Sequence, residues 1–129
     1  FQGYLNVIVK VFKEKKSDII NLTPIRVYTL EPKYSTTNVS NIKKFLNKNY
    51  GNWRPYSKTF DCDDFAMQLW ANFRKSYPAF ALGFVLSGTH SFNFFIDNNK
   101  KVWLIEPQSD KIFSYLSNEI KYKPIMILI

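Results

Sequence analysis

The chain has 129 residues, 46% of them apolar and 18% aromatic, with one cysteine, one histidine and a formal net charge of +8. This composition excludes an intrinsically disordered chain and fits one compact domain that buries its own core. The single cysteine excludes an intrachain disulfide and a metal site of several thiolates. The single histidine excludes a metal site of several imidazoles. Any cysteine–histidine chemistry must therefore use Cys62 and His90.

The sequence also predicts the domain boundary, the compartment and the kind of partner. Phe1-Gln2-Gly3 resembles the remnant of a cleavable purification tag, so we predict a single domain over residues 4–129. No apolar run is long enough to cross a bilayer, and we expect a soluble protein. The absence of disulfides and of a signal peptide favours the cytoplasm. The lysines are not gathered on one helix face, so we expect no nucleic-acid partner despite the charge of +8.

The first half of the chain predicts extended segments followed by a helix. A run of β-branched and aromatic residues predicts a strand over 4–12, and a weaker strand signal covers 25–30. Ser40 is the predicted N-cap of a helix over roughly 41–49. Three apolar residues share one face of this helix, namely Ile42, Phe45 and Leu46.

The second half predicts a longer helix and then a sheet. The helix begins at Asp61 and runs to about Ser76, with an apolar stripe. Strand signals follow at 80–87, 90–97, 101–106, 111–116 and 125–129. Helices followed by antiparallel strands indicate the α+β class, with N-terminal helices packed on an antiparallel β-sheet.

Cys62 is the candidate nucleophile. If Asp61 caps the second helix, Cys62 takes its first position, where free backbone N–H groups and the helix dipole favour a thiolate. A nearby N–H group could also hold the oxyanion of an acyl-transfer transition state. The alternative is that Cys62 is simply a small buried apolar residue.

Three carboxylates surround this thiol, from Asp61, Asp63 and Asp64. Their negative charge opposes thiolate formation, whereas a bound cation would reverse the local field. Carboxylates at this density suit a hard cation, so we predict a site for Ca²⁺, or for Mn²⁺ or another divalent cation. The alternative is that two of them only cap the helix.

His90 and Glu106 lie at the same end of a predicted hairpin. A three-residue loop over 97–99 would pair Ile96 with Lys100 and place His90 directly opposite Glu106. A two-residue turn would instead put them on opposite faces. The spacing therefore predicts an imidazole base oriented by a carboxylate, as a cysteine nucleophile requires. Gln108 and Asn93 are alternative orienting residues, with Asn93 expected on the other face.

The stretch Asp61-Cys62-Asp63-Asp64-Phe65-Ala66, followed by His90 and Glu106, resembles the papain-like and transglutaminase-like cysteine hydrolases. It is similar to calcium-dependent bacterial transglutaminase-like cysteine proteinases and to the protease domain of a mushroom agglutinin. The resemblance spans roughly residues 50–108. It implies that fold, a Cys-His-Glu triad, dependence on calcium, and a hydrolase acting on a protein or peptide substrate.

Two other interpretations stay open at this point. One is a catalytically inactive module that binds a metal or another ligand, with its large aromatics on a partner or carbohydrate surface. Those aromatics are Trp53, Tyr56, Trp70 and Trp103, and the alternative for them is the core. The other is a basic nucleic-acid-binding domain, which needs a clustered cationic face.

Overall fold

A computed structural model describes residues 26–49, 54–114, 122 and 124–129. The helices are α1 (Val39–Lys48) and α2 (Cys62–Ser76). The strands are β1 (Arg26–Tyr28), β2 (Leu82–Ser87), β3 (Ser91–Ile96), β4 (Val102–Glu106), β5 (Lys111–Ser114) and β6 (Pro124–Leu128). The predicted strand over 4–12 and the tag remnant lie outside the described residues.

Both predicted helices are present, and their N-termini show why each begins where it does. The carboxamide oxygen of Asn38 accepts a hydrogen bond from the Asn41 N–H at 2.8 Å. Asn38 therefore caps α1, and the prediction of Ser40 as the cap is wrong, since Ser40 lies inside the first turn. Asp61 is the N-cap of α2, as predicted.

The six strands form one sheet in the order β1-β6-β2-β3-β4-β5. The last strand, β6, inserts between β1 and β2, and it runs parallel to β1 and antiparallel to β2. The sheet is therefore mixed, because β1 and β6 pair in parallel whereas the other neighbouring strands pair antiparallel. The predicted fold class, a papain-like/transglutaminase-like α+β domain with N-terminal helices on an antiparallel sheet, is wrong: most elements are strands of this mixed sheet, beside two short helices.

Each face of the sheet carries its own buried cluster. On the helix face, Leu82, Phe95 and Ile105 pack against residues from both helices. The helix residues of that cluster are Ile42, Leu46, Leu69 and Phe73. On the opposite face, which we call the second face, the cluster includes Val85, Phe92, Phe94, Val102, Leu104 and Ile127.

Strand β3 is central to both clusters. All of its residues from Ser91 to Ile96 are buried, and they alternate between the two faces. A strand buried on both faces must be apolar along nearly its whole length, which accounts for the run of phenylalanines in this segment.

In the part of the chain that the structure describes, no helix is long and apolar enough to span a membrane.

We predict that Gly83→Ala severely destabilises the protein. A Cβ at this position would collide with the backbone oxygen of Leu128 and lie 2.7 Å from a ring carbon of Phe94. Neither neighbour can retreat easily, because the Leu128 oxygen belongs to the backbone of a paired strand and Phe94 is fully buried. We expect a loss of about 3 kcal/mol in the free energy of unfolding, measured by denaturant titration.

Gly88→Ala is the matched control, because an added Cβ there meets no atom within 4 Å. It should change the free energy of unfolding by less than about 1 kcal/mol. Equal effects of the two substitutions would contradict the close approach of β2 and β6.

Candidate functional site

The β3–β4 hairpin turns through a five-residue loop, 97–101, that is organised by one carboxylate. Asp97 Oδ1 accepts hydrogen bonds from the backbone N–H groups of Asn99 at 2.8 Å and Lys101 at 2.9 Å. Asp97 Oδ2 accepts from Trp103 Nε1 at 2.9 Å. Lys100 adopts a left-handed conformation with φ of 62°. Burial alone would raise the pKa of the Asp97 carboxyl, but these hydrogen bonds outweigh it and lower that pKa.

This loop sets the register of the hairpin. Ile96 pairs with Val102 and not, as predicted, with Lys100, so His90 is not directly opposite Glu106. The error in register is two residues, and a shift of two keeps a side chain on the same face. His90 Nε2 and Glu106 Oε1 therefore still meet, at 2.7 Å, as a diagonal pair.

The His90–Glu106 pair lies on the second face of the sheet. Its side chains are 17% and 16% exposed, respectively. The imidazole stacks on Phe92 with a centroid distance of 6.0 Å and meets the Tyr122 ring edge-on at 6.0 Å. Asn93 faces the other way, as expected, and donates to Ala66 O of α2 at 2.9 Å and to Gly83 O at 3.2 Å.

Cys62 belongs to α2 and not to the hairpin that carries this pair. It is half-buried at the first position of α2, the helix that packs on the helix face. Among the described residues, no hydrogen bond joins its sulfur to His90. The structure brings His90 and Glu106 together, but it does not bring Cys62 into hydrogen-bond contact with the imidazole that its predicted role requires.

The predicted metal ligands do converge at the start of α2. One ligand atom from each of Asp61, Asp63 and Asp64 lies within 4.8 Å of the other two. Asp64 Oδ2 also accepts a hydrogen bond from the Asp61 N–H at 3.1 Å, which helps cap the helix. A side-chain hydrogen bond with Asp63, followed by desolvation and the charges of Asp63 and Asp64, raises the pKa of Asp61. This end of α2 is therefore a site of concentrated negative charge.

A cleft of about 400 Å³ opens beside α1, and we call it the α1 cleft. It is lined by Thr37, Asn41, Ile42, Lys44, Phe45, Lys48, Phe73, Tyr77 and Phe80. Four of these side chains are aromatic and pack edge to face. The Phe45 and Phe73 centroids are 5.0 Å apart, and those of Tyr77 and Phe80 are 5.3 Å apart. Tyr77 is 44% exposed, so one ring of this cluster is available at the surface.

Polar groups at the edge of the α1 cleft are few and ordered. Asn41 Nδ2 donates to Thr37 Oγ1 at 2.8 Å, which fixes both side chains. Lys44 and Lys48 supply positive charge, and no acidic residue is among the lining side chains. A mostly apolar cleft with a few oriented polar groups is the usual form of a small-molecule site.

Sequence reasoning missed the α1 cleft. It assigned Phe45 to the shared apolar face of the first helix and Phe80 to the start of a strand, and it gave Tyr77 no role. A usable signal was present: α1 carries lysines at positions 44 and 48, four residues apart, and no acidic residue. Of the aromatics proposed for a binding surface, Trp70 and Trp103 pack against the helix-face core, Tyr56 is 62% exposed, and Trp53 lies outside the described residues.

Comparisons with known proteins support the fold. No protein-family model and no curated protein sequence matches the chain. The chain is similar to the structure described as a PSL1a–E64 complex, with a TM-score of 0.68 and 21% identity over 93% of this chain and 49% of that one. It is also similar to Polyporus squamosus lectin bound to the human-type influenza-binding epitope Neu5Acα2-6Galβ1-4GlcNAc, with a TM-score of 0.65 and 21% identity over 95% of this chain and 48% of that one.

These neighbours correct the sequence-based identification. The fold is that of about half of a lectin chain, and the predicted papain-like/transglutaminase-like membership is wrong. The predicted enzyme, a cysteine peptidase or thiol hydrolase, is wrong on the same comparison.

We predict that Asp97→Asn loosens the β3–β4 hairpin. The carboxamide cannot accept from Trp103 and from both backbone N–H groups, so the free energy of unfolding at pH 7 should fall by about 1–3 kcal/mol. Because folding lowers the Asp97 pKa, its stabilisation is present above the ordinary value of 3.8 and is lost as the pH falls through the folded-state value. Denaturant titrations from pH 2.5 to pH 7 measure both effects.

Asn99→Ala is the control for this loop, since the hydrogen bond that Asn99 gives to Asp97 comes from its backbone. It should change the free energy of unfolding by less than about 0.5 kcal/mol. The difference in the free energy of unfolding between the original protein and Asp97→Asn should shrink as the pH falls. If it does not, the Asp97 carboxylate is not what organises the loop.

Proposed function

We propose that this chain is a ligand-binding module and that its ligand is a sugar held in the α1 cleft. The observation that carries the proposal is the lining of that cleft, in which an exposed aromatic ring adjoins ordered amide and hydroxyl groups. A pyranose ring has one apolar C–H face and an equatorial belt of hydroxyls. Aromatic rings can stack on the C–H face, and side chains such as Asn41 and Thr37 can form hydrogen bonds with the hydroxyls.

The fold comparison supports a sugar ligand in place of the expected protein or peptide substrate. One neighbour is a lectin bound to a sialylated trisaccharide. This chain spans about half the length of that lectin, at 48%. The sugar-binding property of the full lectin chain is therefore carried over here only as part of the proposal, and the lining residues of the α1 cleft support it independently.

We predict that the trisaccharide Neu5Acα2-6Galβ1-4GlcNAc perturbs backbone NMR signals of α1 and of residues 77–80. Tyr77→Ala should weaken binding roughly tenfold, because it removes the exposed ring on which a sugar would stack. Titration of isotope-labelled protein gives both the location and the affinity.

Tyr28→Ala is the matched control. Tyr28 is 48% exposed, close to the 44% of Tyr77, but it lies on edge strand β1. It should leave the affinity unchanged. Absence of any shift at millimolar sugar, or shifts confined to residues away from the cleft, would refute the proposed function.

A second candidate function is cation binding at the start of α2. Three carboxylates with ligand atoms within 4.8 Å of one another offer the hard oxygen donors that Ca²⁺ prefers, and Mn²⁺ or another divalent cation could use the same set. Among the described residues, no lysine or arginine forms an ion pair with these three carboxylates, which leaves their charge to a cation from solution. In this proposal Cys62, His90 and Glu106 are not part of the cation site.

We predict that CaCl₂ raises the melting temperature of the protein and that Asp63→Asn abolishes the increase. Asp63 is the residue to change because Asp64 also caps the helix. Without calcium, Asp63→Asn should be at least as stable as the original at pH 7, since it removes a repulsive charge beside Asp61. Equal calcium-induced shifts in both proteins, by differential scanning fluorimetry after chelator treatment, would exclude this site.

A further inference from the structure

We propose that one end of this domain binds the surface of an anionic phospholipid bilayer. This end, which we call the basic end, carries four exposed lysines and, beside them, an exposed turn over residues 76–79. The lysines are Lys33, Lys75, Lys100 and Lys101. Binding to a bilayer goes beyond the proposed sugar-binding function and does not depend on it.

The basic end is built where the β3–β4 hairpin turns. The N–H of Ser35 donates to Ala79 O at 2.7 Å, and the N–H of Asn98 donates to Thr37 O at 3.0 Å. These backbone hydrogen bonds join three segments that are far apart in sequence. The turn after α2, the segment before α1 and the hairpin loop 97–101 therefore lie side by side, and each of them brings exposed lysines to the same end of the sheet.

The positive charge of the basic end is not neutralised by acidic residues that the structure describes there. Glu31 is paired with Arg74 at 3.0 Å. Asp97 is only 6% exposed, and its oxygens already accept hydrogen bonds from its own loop and from Trp103. None of the four lysines forms an ion pair with a described residue. Lys101 Nζ lies over the Trp103 ring, 4.2 Å from its centroid, and this contact leaves its charge in place.

The opposite end of the domain has the opposite balance of charge. Helix α2 begins at the cluster of three carboxylates and ends with Arg74 and Lys75. Its 15 residues separate these charges by about 22 Å. The remaining described acidic residues, Glu106 and Asp110, lie at the end of β4 or just after it, away from the hairpin loop. An anionic surface would therefore attract this domain with the basic end foremost.

The turn at the basic end favours a bilayer over a nucleic acid. All of residues 76–79 are exposed, including Tyr77 at 44%, Pro78 and Ala79. A tyrosine ring is typical of the headgroup layer, because one part of it is apolar and its hydroxyl contacts water. Lysines around such a ring add attraction to anionic headgroups. The side chains of Pro78 and Ala79 can enter the same layer, whereas they offer no hydrogen bond to a phosphate or a base edge.

The test measures binding to vesicles by co-sedimentation. The probes are vesicles of phosphatidylserine and phosphatidylcholine in equal parts, vesicles of phosphatidylcholine alone, and a DNA duplex. The proteins are the original, a Lys75→Gln/Lys100→Gln variant and a Lys58→Gln/Lys111→Gln control. The control removes the same net charge, but its two exposed lysines lie near the start of α2 and the start of β5. Exposed substitutions of this kind should preserve folding, and the melting temperature checks it.

The original protein should bind the phosphatidylserine vesicles, bind them less as NaCl rises, and leave the phosphatidylcholine vesicles unbound. Lys75→Gln/Lys100→Gln should weaken binding roughly 30-fold, because each lysine near an anionic surface contributes about fivefold. The control should weaken it less than about threefold, since its charges lie far from the bilayer.

Three outcomes would overturn the proposal. One is the absence of binding to phosphatidylserine vesicles at low salt. Another is equal weakening by the two double variants, which would mean that net charge alone attracts the protein. The third is stronger binding to the DNA duplex than to the anionic vesicles at equal concentrations of negative charge. None of them bears on the proposed sugar-binding function, because neither kind of vesicle carries a sugar.

Discussion

Burial of β3 on both faces is the constraint on which the rest of the structure depends. Side chains alternate between the two faces along a strand, so the face on which one residue of β3 lies determines the face of every other residue in that strand. Asn93 and Phe95 face the helices, whereas Phe92 and Phe94 face the opposite cluster. His90 follows the alternation of Phe92, and Glu106 follows that of Leu104. The pair therefore meets on the second face, whereas α2 packs its apolar stripe on the helix face.

The same constraint leaves the α1 cleft on the helix side. Both helices bury their apolar stripes against Leu82, Phe95 and Ile105, which draws Phe73 into the core. The chain then leaves α2 through Tyr77 and returns to the sheet at Phe80, so two more aromatics collect where α1 and α2 adjoin. The ten residues of α1 do not cover all of these aromatic side chains. The result is a partly exposed aromatic surface, bordered by the lysines of α1.

Local features of the sequence predicted local structure well. Asp61 was recognisable as a cap because an acidic residue three positions later completes a capping pattern, and the alternation within 90–97 indicated which face His90 would share with Glu106. The exact register was not predictable, because it depends on how Asp97 closes its loop with Trp103, a contact between different strands. The position of β6 between β1 and β2 was equally out of reach, since it depends on pairing across about a hundred residues.

Function was harder to infer than structure for a related reason. A cysteine at a helix start, followed by histidine and glutamate, is a one-dimensional order of residues, and it does not specify which of these side chains meet in the folded chain. The α1 cleft, in contrast, is assembled from three separate segments around residues 37, 41–48 and 73–80. No single segment carries a motif. Only the packing of α1 against the end of α2 brings the aromatic, polar and basic groups together.

A crystal structure of the chain grown with Neu5Acα2-6Galβ1-4GlcNAc tests the central claim most directly. The account predicts density for the sugar in the α1 cleft, with a ring against Tyr77 and sugar hydroxyls at hydrogen-bond distance, about 2.7–3.2 Å, from Asn41 or Thr37. Density at another surface, with the cleft accessible in the lattice and empty of sugar, would contradict it.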